Sequence, residues 1–79
     1  MQKILKHETQ KEPVYIAKSS DGRFHVIYMN EALGSYQSPE MAIDDASGGH
    51  TFMPSDGTDL GSLNLSDDIN DWTLLLSDG

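Results

Sequence analysis

The chain contains no cysteine, and beyond Arg23 it contains no lysine or arginine. The first absence excludes disulfide staples and thiol chemistry, and with them structural zinc of the usual cysteine-rich kind. The second says more. Lys3, Lys6, Lys11, Lys18 and Arg23 are the only basic residues, and with three acids among them the first 23 positions carry a net charge of +2. From Phe24 to Gly79 ten acids meet no base, a net of −10. A stretch of that length would ordinarily hold roughly seven Lys or Arg. Binding to nucleic acid or to an anionic membrane needs cations facing phosphate, so neither is expected directly. Long apolar runs are missing too. None approaches the roughly 20 residues of a membrane span, and MQKILKHETQKEP has no stretch that fits a secretory signal. A cytoplasmic location is expected.

What is present is the composition of a foldable chain: 79 residues, 37% hydrophobic and 23% charged. That length suits one small domain with a marginal core. Residues 1–12 are polar and without a clear period, and are expected to form a loose, disordered leader, with a single domain over 13–79. The first strong signal is VYIAK-SSDG-RFHVIYM, two β-branched and aromatic runs around Asp-Gly, which marks a hairpin. A three-residue loop, Ser20-Asp21-Gly22 with Gly22 left-handed, would pair Ser19 with Arg23. Val14, Ile16, Phe24, Val26 and Tyr28 then share one face, and Tyr15, Ala17, His25 and Ile27 the other. A two-residue Asp21-Gly22 turn would scatter the large apolar groups over both faces, so the longer loop is favoured.

Gly34 suggests a turn and Ser35–Gln37 a short third strand. SPEMAIDDASGG reads as a helix with both ends marked: Ser38 as N-cap, Pro39 at the first helical position, Glu40 complementing the dipole, and Gly48 or Gly49 as the left-handed stop. Met41, Ala42, Ala46 and Ile43 can face the sheet, and Asp44 and Asp45 then point away. HTFM suits a short strand, and PSDGTDLGSLNLS is a loop rich in turn residues. Ser66 can cap one more helical turn at DDIND, and WTLLL alternates like a closing strand with Trp72, Leu74 and Leu76 on one side. The expected whole is an α+β fold: a small antiparallel sheet, made of a β-hairpin and one or two short strands, packed by one main helix.

The order of DG hairpin, short strand and SPE-M-A helix start, over residues 13–49, resembles small bacterial proteins built from a three-stranded meander and one helix. The segment HTFMPSDGTD is similar to a small bacterial family of unknown function. Neither resemblance implies a catalytic residue, and a fold alone does not carry a function.

Three groups of residues bear on chemistry. From Asp56 a calcium loop would place ligands at Asp56, Thr58 and Asp67 with Gly61 at the sixth position. Leu60 cannot ligate at the fifth position through its side chain, and aspartate is too short at the twelfth, so no metal or cofactor is expected. His50 with Asp56 and Asp59 could hold a divalent ion or supply a general base, against the plainer role of bonding a loop carbonyl. Trp72 and the leucines that follow can complete a core or mark a dimer surface, which leaves monomer and homodimer open. No G-x-S-x-G elbow and no phosphate loop ending in Lys-Ser or Lys-Thr is present, and an enzyme is not expected.

These features point to a small acidic, non-enzymatic binding protein. Asp44, Asp45, Asp56, Asp59, Asp67, Asp68 and Asp71 would meet a basic partner protein, for instance a nucleic-acid-binding one. The sharp form is an inhibitor of the phage or mobile-element type that imitates nucleic-acid phosphates. The alternatives are a bacterial housekeeping domain whose acids are only solvated, and a weak metal or ligand binder through His50, Asp56 and Asp59.

Overall fold

Residues 1–75 are described by the computed structural model. Five antiparallel strands form one sheet: β1 (Gln2–His7), β2 (Val14–Lys18), β3 (Phe24–Tyr28), β4 (Glu31–Tyr36) and β5 (Thr73–Leu74), in the order β4-β3-β2-β1-β5. One helix, α1 (Pro39–Gly48), packs on one face, and two single 3-10 turns follow at Leu60–Ser62 and Ile69–Asp71. The fold is α+β, a small antiparallel sheet against one main helix.

The first hairpin closes through the three-residue loop. Ser19 N–H donates to the Arg23 carbonyl at 2.9 Å, and Gly22 N–H to that of Ser19 at 3.0 Å, with Gly22 at φ 84°. The Asp21 carboxylate sits inside this turn and accepts from the Ser19 hydroxyl and the Arg23 N–H. These bonds, Ser19 first, hold it below the usual carboxylate range. The resulting register, Val14↔Tyr28 and Ile16↔Val26, puts these four side chains in the core, where at most 1% of any remains accessible. Phe24 packs at the edge of the same cluster.

Residues 1–12, expected as a loose leader, contain β1. It lies between β2 and β5, away from either edge of the sheet. A bulge between Lys3 and Leu5 turns Ile4 and Leu5 both towards the core, while Lys3 and Lys6 keep to the opposite face beside Ala17 and Tyr15. A second correction concerns the third strand, which spans Glu31–Tyr36 and not Ser35–Gln37 alone. Its turn is Met29-Asn30, both left-handed at φ 50° and 65°, as a two-residue type I′ connection requires. Gly34 therefore lies within the strand, where it and Leu33 together stand opposite Val26 in a bulge.

Helix α1 starts and stops where its sequence says. Ser38 Oγ accepts from Met41 N–H at 3.2 Å, and Gly49 takes the left-handed position at φ 74°, its N–H bonded to the Ala46 carbonyl. Ala42, Ile43 and Ala46 are buried, so Ile43 is a core residue and Met41, half exposed, is not. A Cβ at Gly49 would lie 2.8 Å from Asp59 Oδ1 and 3.1 Å from Gly61 Cα, because the first 3-10 turn packs directly on the helix end. Gly49→Ala should therefore cost at least about 1–2 kcal/mol from the left-handed backbone alone, with a Tm drop of roughly 5–15 °C in a thermal melt.

The second half departs furthest from the sequence reading. HTFM forms no strand. Residues 50–65 are mostly irregular, yet they insert Leu60, Leu63 and Leu65 into the core. The helical turn expected after Ser66 is one 3-10 turn capped by Asp68, which accepts from Asn70 N–H at 2.9 Å. Ser66 supports it from one step back, accepting from Asp68 N–H and donating to Asp71. The closing strand is only Thr73–Leu74: Trp72 is buried just before it, Leu74 is exposed, and Leu76 lies outside the described residues.

Candidate functional site

The topology sorts most of the charge into two layers, Lys18 excepted, which stands opposite Phe24 at the rim of the helix-packed face. Cross-strand partners share a face, so Lys3 (opposite Ala17) and Lys6 (opposite Tyr15) stand on the side of the sheet away from α1. Lys3 Nζ lies 4.3 Å from the centre of the Tyr15 ring. Arg23 reaches the same side by donating to the Ser35 hydroxyl and carbonyl. The helix and the segment from 50 to 72 cover the other face, and all seven aspartates belong to that covering layer. Lys6 pairs with Glu8 at 2.9 Å, which raises the lysine's pKa, and this is the only ion pair among the described residues. None of the seven aspartates is neutralised by such a pair.

Four of them do have a local reason to be aspartate. A short carboxylate can accept from the backbone two residues on and so hold a turn. Asp56 accepts from Thr58 N–H at 2.9 Å and from its hydroxyl at 2.8 Å, Asp59 from Gly61 N–H at 2.9 Å, and Asp68 from Asn70 N–H; Asp71 accepts from the Ser66 hydroxyl at 2.6 Å. The Thr58 backbone and hydroxyl bonds, with a smaller contribution from the charge of Lys11, keep the Asp56 carboxyl below its usual range. Asp44, Asp45 and Asp67 cap nothing in this way.

Two grooves flank the end of α1. One, about 520 Å³, runs between the helix and residues 65–67, with Asp44, Ser47, His50 and Asp67 on its walls. The other, about 240 Å³, lies between α1 and β4, where Asp45 and His50 face Tyr36 and Phe52. His50 thus shares one groove with Asp44 and Asp67 and the other with Asp45, while Asp56 and Asp59 are held in their own turns. Its N–H donates to the Asp45 carbonyl at 2.9 Å. No group of three or more His, Cys, Asp or Glu side chains among the described residues is placed to hold a metal ion. The calcium-loop residues are not gathered either: Asp56 and Thr58 bond each other, Leu60 is buried in the core, and Asp67 lies on the far groove.

Tyr36 was not singled out by the sequence. Its ring lies over Gly34, where a Cβ would come within 2.5 Å of the Tyr36 hydroxyl oxygen. Burial first, then the hydrogen bond to Asp45 and the charge of that carboxylate, push its pKa up to about 12. Folding thus favours the neutral phenol. The stability this contributes is complete below the ordinary tyrosine value of about 10 and is lost as pH rises towards about 12. Tyr36→Phe should flatten the fall in stability over that range, as read by denaturant unfolding at a series of alkaline pH values.

His7, at the end of β1, also has a defined place. Its Nδ1 donates to the Glu8 carbonyl at 2.6 Å, which leaves Nε2 to accept from Ser66 N–H at 3.3 Å. The ring meets Trp72 edge-on, centres 5.0 Å apart, and Trp72 Nε1–H donates to the Ser66 carbonyl at 3.0 Å. This ties β1 to the segment that carries Asp67, Asp68 and Asp71. No helix among the described residues is long and apolar enough to cross a membrane.

Comparison with protein-family models, with curated proteins and with solved structures gives no match to this chain.

Proposed function

We propose that the chain is a small acidic, non-enzymatic binding protein whose helix-and-loop layer engages a basic protein, in the manner of an inhibitor that imitates nucleic-acid phosphates. One observation supports this above the others: seven aspartates share the layer covering one face of the sheet, and no ion pair neutralises any of them. Such a one-sided field speeds encounter with a cationic surface and weakens as salt screens it, over a length of about 10 Å at 0.1 M. The turn-holding bonds of Asp56, Asp59 and Asp68, with the Ser66 bond of Asp71, favour a second reading, in which aspartate is there for the turns and the charge serves only solvation.

The two readings differ in what neutralising the uncapped carboxylates does. Asp44→Asn/Asp67→Asn leaves every capping bond in place. The wild-type chain and this variant would be immobilised, exposed to a bacterial lysate at low salt, and eluted with duplex DNA and then with high salt. The proposal expects a nucleic-acid-binding protein on the wild type, released by DNA and depleted on the variant. Equal retention of the same proteins by both chains, or none released by DNA, would establish the solvation reading.

A further inference from the structure

Phe52 and Met53 are among the most exposed large apolar side chains of the described residues, at 75% and 66%, and Met29 is half exposed. Their position is fixed from both sides. Phe52 N–H donates to the Leu33 carbonyl at 3.0 Å, and the Glu31 carboxylate accepts from both the backbone and the hydroxyl of Ser55. Residues 52–55 therefore run antiparallel beside β4 and hold Phe52 and Met53 out along that edge. Nothing in the core uses them. A protein with a marginal core that leaves its second phenylalanine in water presents a surface suited to contact.

The groove beside Phe52 adds chemistry to this apolar rim. The Tyr36 ring passes close over the Gly34 backbone, the Asp45 carboxylate stands at its hydroxyl, and Phe52 lines the opening. Aromatic faces attract a cation through their quadrupole, and a carboxylate gives it a charge-assisted acceptor. Guanidinium suits such a place better than ammonium, because its plane can stack on a ring while its edge donates to a carboxylate. We propose that the groove between β4 and α1 seats an arginine side chain of the partner protein, with Asp45 accepting from the guanidinium and Tyr36 and Phe52 flanking it. This deepens the acidic-binding reading and rests on it, since it names the point at which a basic partner is gripped rather than merely attracted.

The probe is an octa-arginine peptide, with an octa-citrulline peptide as its uncharged counterpart. Each would be titrated at low salt into the isotopically labelled chain and followed by nuclear magnetic resonance. The expected result is that octa-arginine shifts Tyr36, Asp45 and Phe52 ahead of other residues and that octa-citrulline does not. Asp45→Asn and Phe52→Ala should each weaken binding about three- to tenfold, while Asp67→Asn weakens it less. Phe52 is exposed and Asp45 partly so, and thermal melts of the variants would verify that the fold is kept. If octa-arginine binds but Asp45→Asn and Phe52→Ala cost no more than Asp67→Asn, the groove is not the seat, and the broader acidic reading stands. Equal binding of octa-citrulline also overturns the seat. Failure of octa-arginine to bind at low salt removes both.

Discussion

A chain that begins at residue 8 should show no cooperative unfolding transition, in heat or in denaturant. The reason is position. β1 pairs with β2 on one side and β5 on the other, so its removal turns β2 into an open edge and detaches β5 altogether. Leu5, 5% accessible, leaves the core with it, and so do Ile4, whose carbonyl accepts from Leu75 N–H, and the His7 acceptor for Ser66 N–H. A chain of this size is stabilised by only about 4–12 kcal/mol in total. Leu5→Ala alone should cost about 2–5 kcal/mol, so losing the whole strand exceeds what is available. Circular dichroism melts and amide proton dispersion would check it. Unchanged melting of the shortened chain would mean that residues 1–7 are a dispensable leader after all.

Trp72→Ala should be the most damaging single substitution, at about 3–5 kcal/mol, a large share of that total. The indole is 5% accessible and joins the main core cluster. It also makes two specific contacts: its N–H on the Ser66 carbonyl, and its ring against His7 in β1. Without it, the last 3-10 turn and β5 lose their anchor. Trp72→Phe separates the two contributions. It keeps a ring for packing and gives up the hydrogen bond, and should cost less than Trp72→Ala by several kcal/mol; an unmet Ser66 carbonyl accounts for about 1 kcal/mol of what remains. Denaturant unfolding followed by far-ultraviolet circular dichroism is the measurement, since the alanine variant has no tryptophan left to report by fluorescence.

The parts of the fold that could be read in the sequence are those decided locally. Asp21-Gly22 between alternating apolar runs fixes a hairpin and its register, and Ser38-Pro39 with Gly48-Gly49 brackets a helix, because caps and left-handed glycines act within a few residues. β1 could not be read, because its bulge at Ile4 breaks the alternation and its lysines sit on an open sheet face, where long stems can lie over Tyr15 while the charge stays in water. β4 was obscured by Gly34, which reads as a turn but fills a bulge beneath Tyr36, and by the Met29-Asn30 turn, which has no glycine to announce it. Between His50 and Leu65 there is no period to find, since irregular backbone delivers Leu60, Leu63 and Leu65 to the core.

The candidate site was legible as composition and not as geometry. The acids of the covering layer stand out in the composition as a stretch without lysine or arginine. Nothing in the count could say that Asp56, Asp59, Asp68 and Asp71 are occupied with turns, while Asp44, Asp45 and Asp67 border grooves. That division depends on which loops meet the end of α1, as where Gly61 and Asp59 pack against Gly49. Tyr36 and Phe52 were passed over for the same reason: their partners, Gly34 and the edge of β4, are chosen by the tertiary fold.

The separation of lysines from aspartates also decides how the molecule can be handled. Lys3, Lys6 and Lys18 stand on β1 and β2 and Lys11 on the loop between them, so every side-chain amine belongs to one hairpin. Side-chain amine coupling to a bead, a dye or a sensor chip takes hold there, and it would leave the helix and residues 50–72 without a modified side chain.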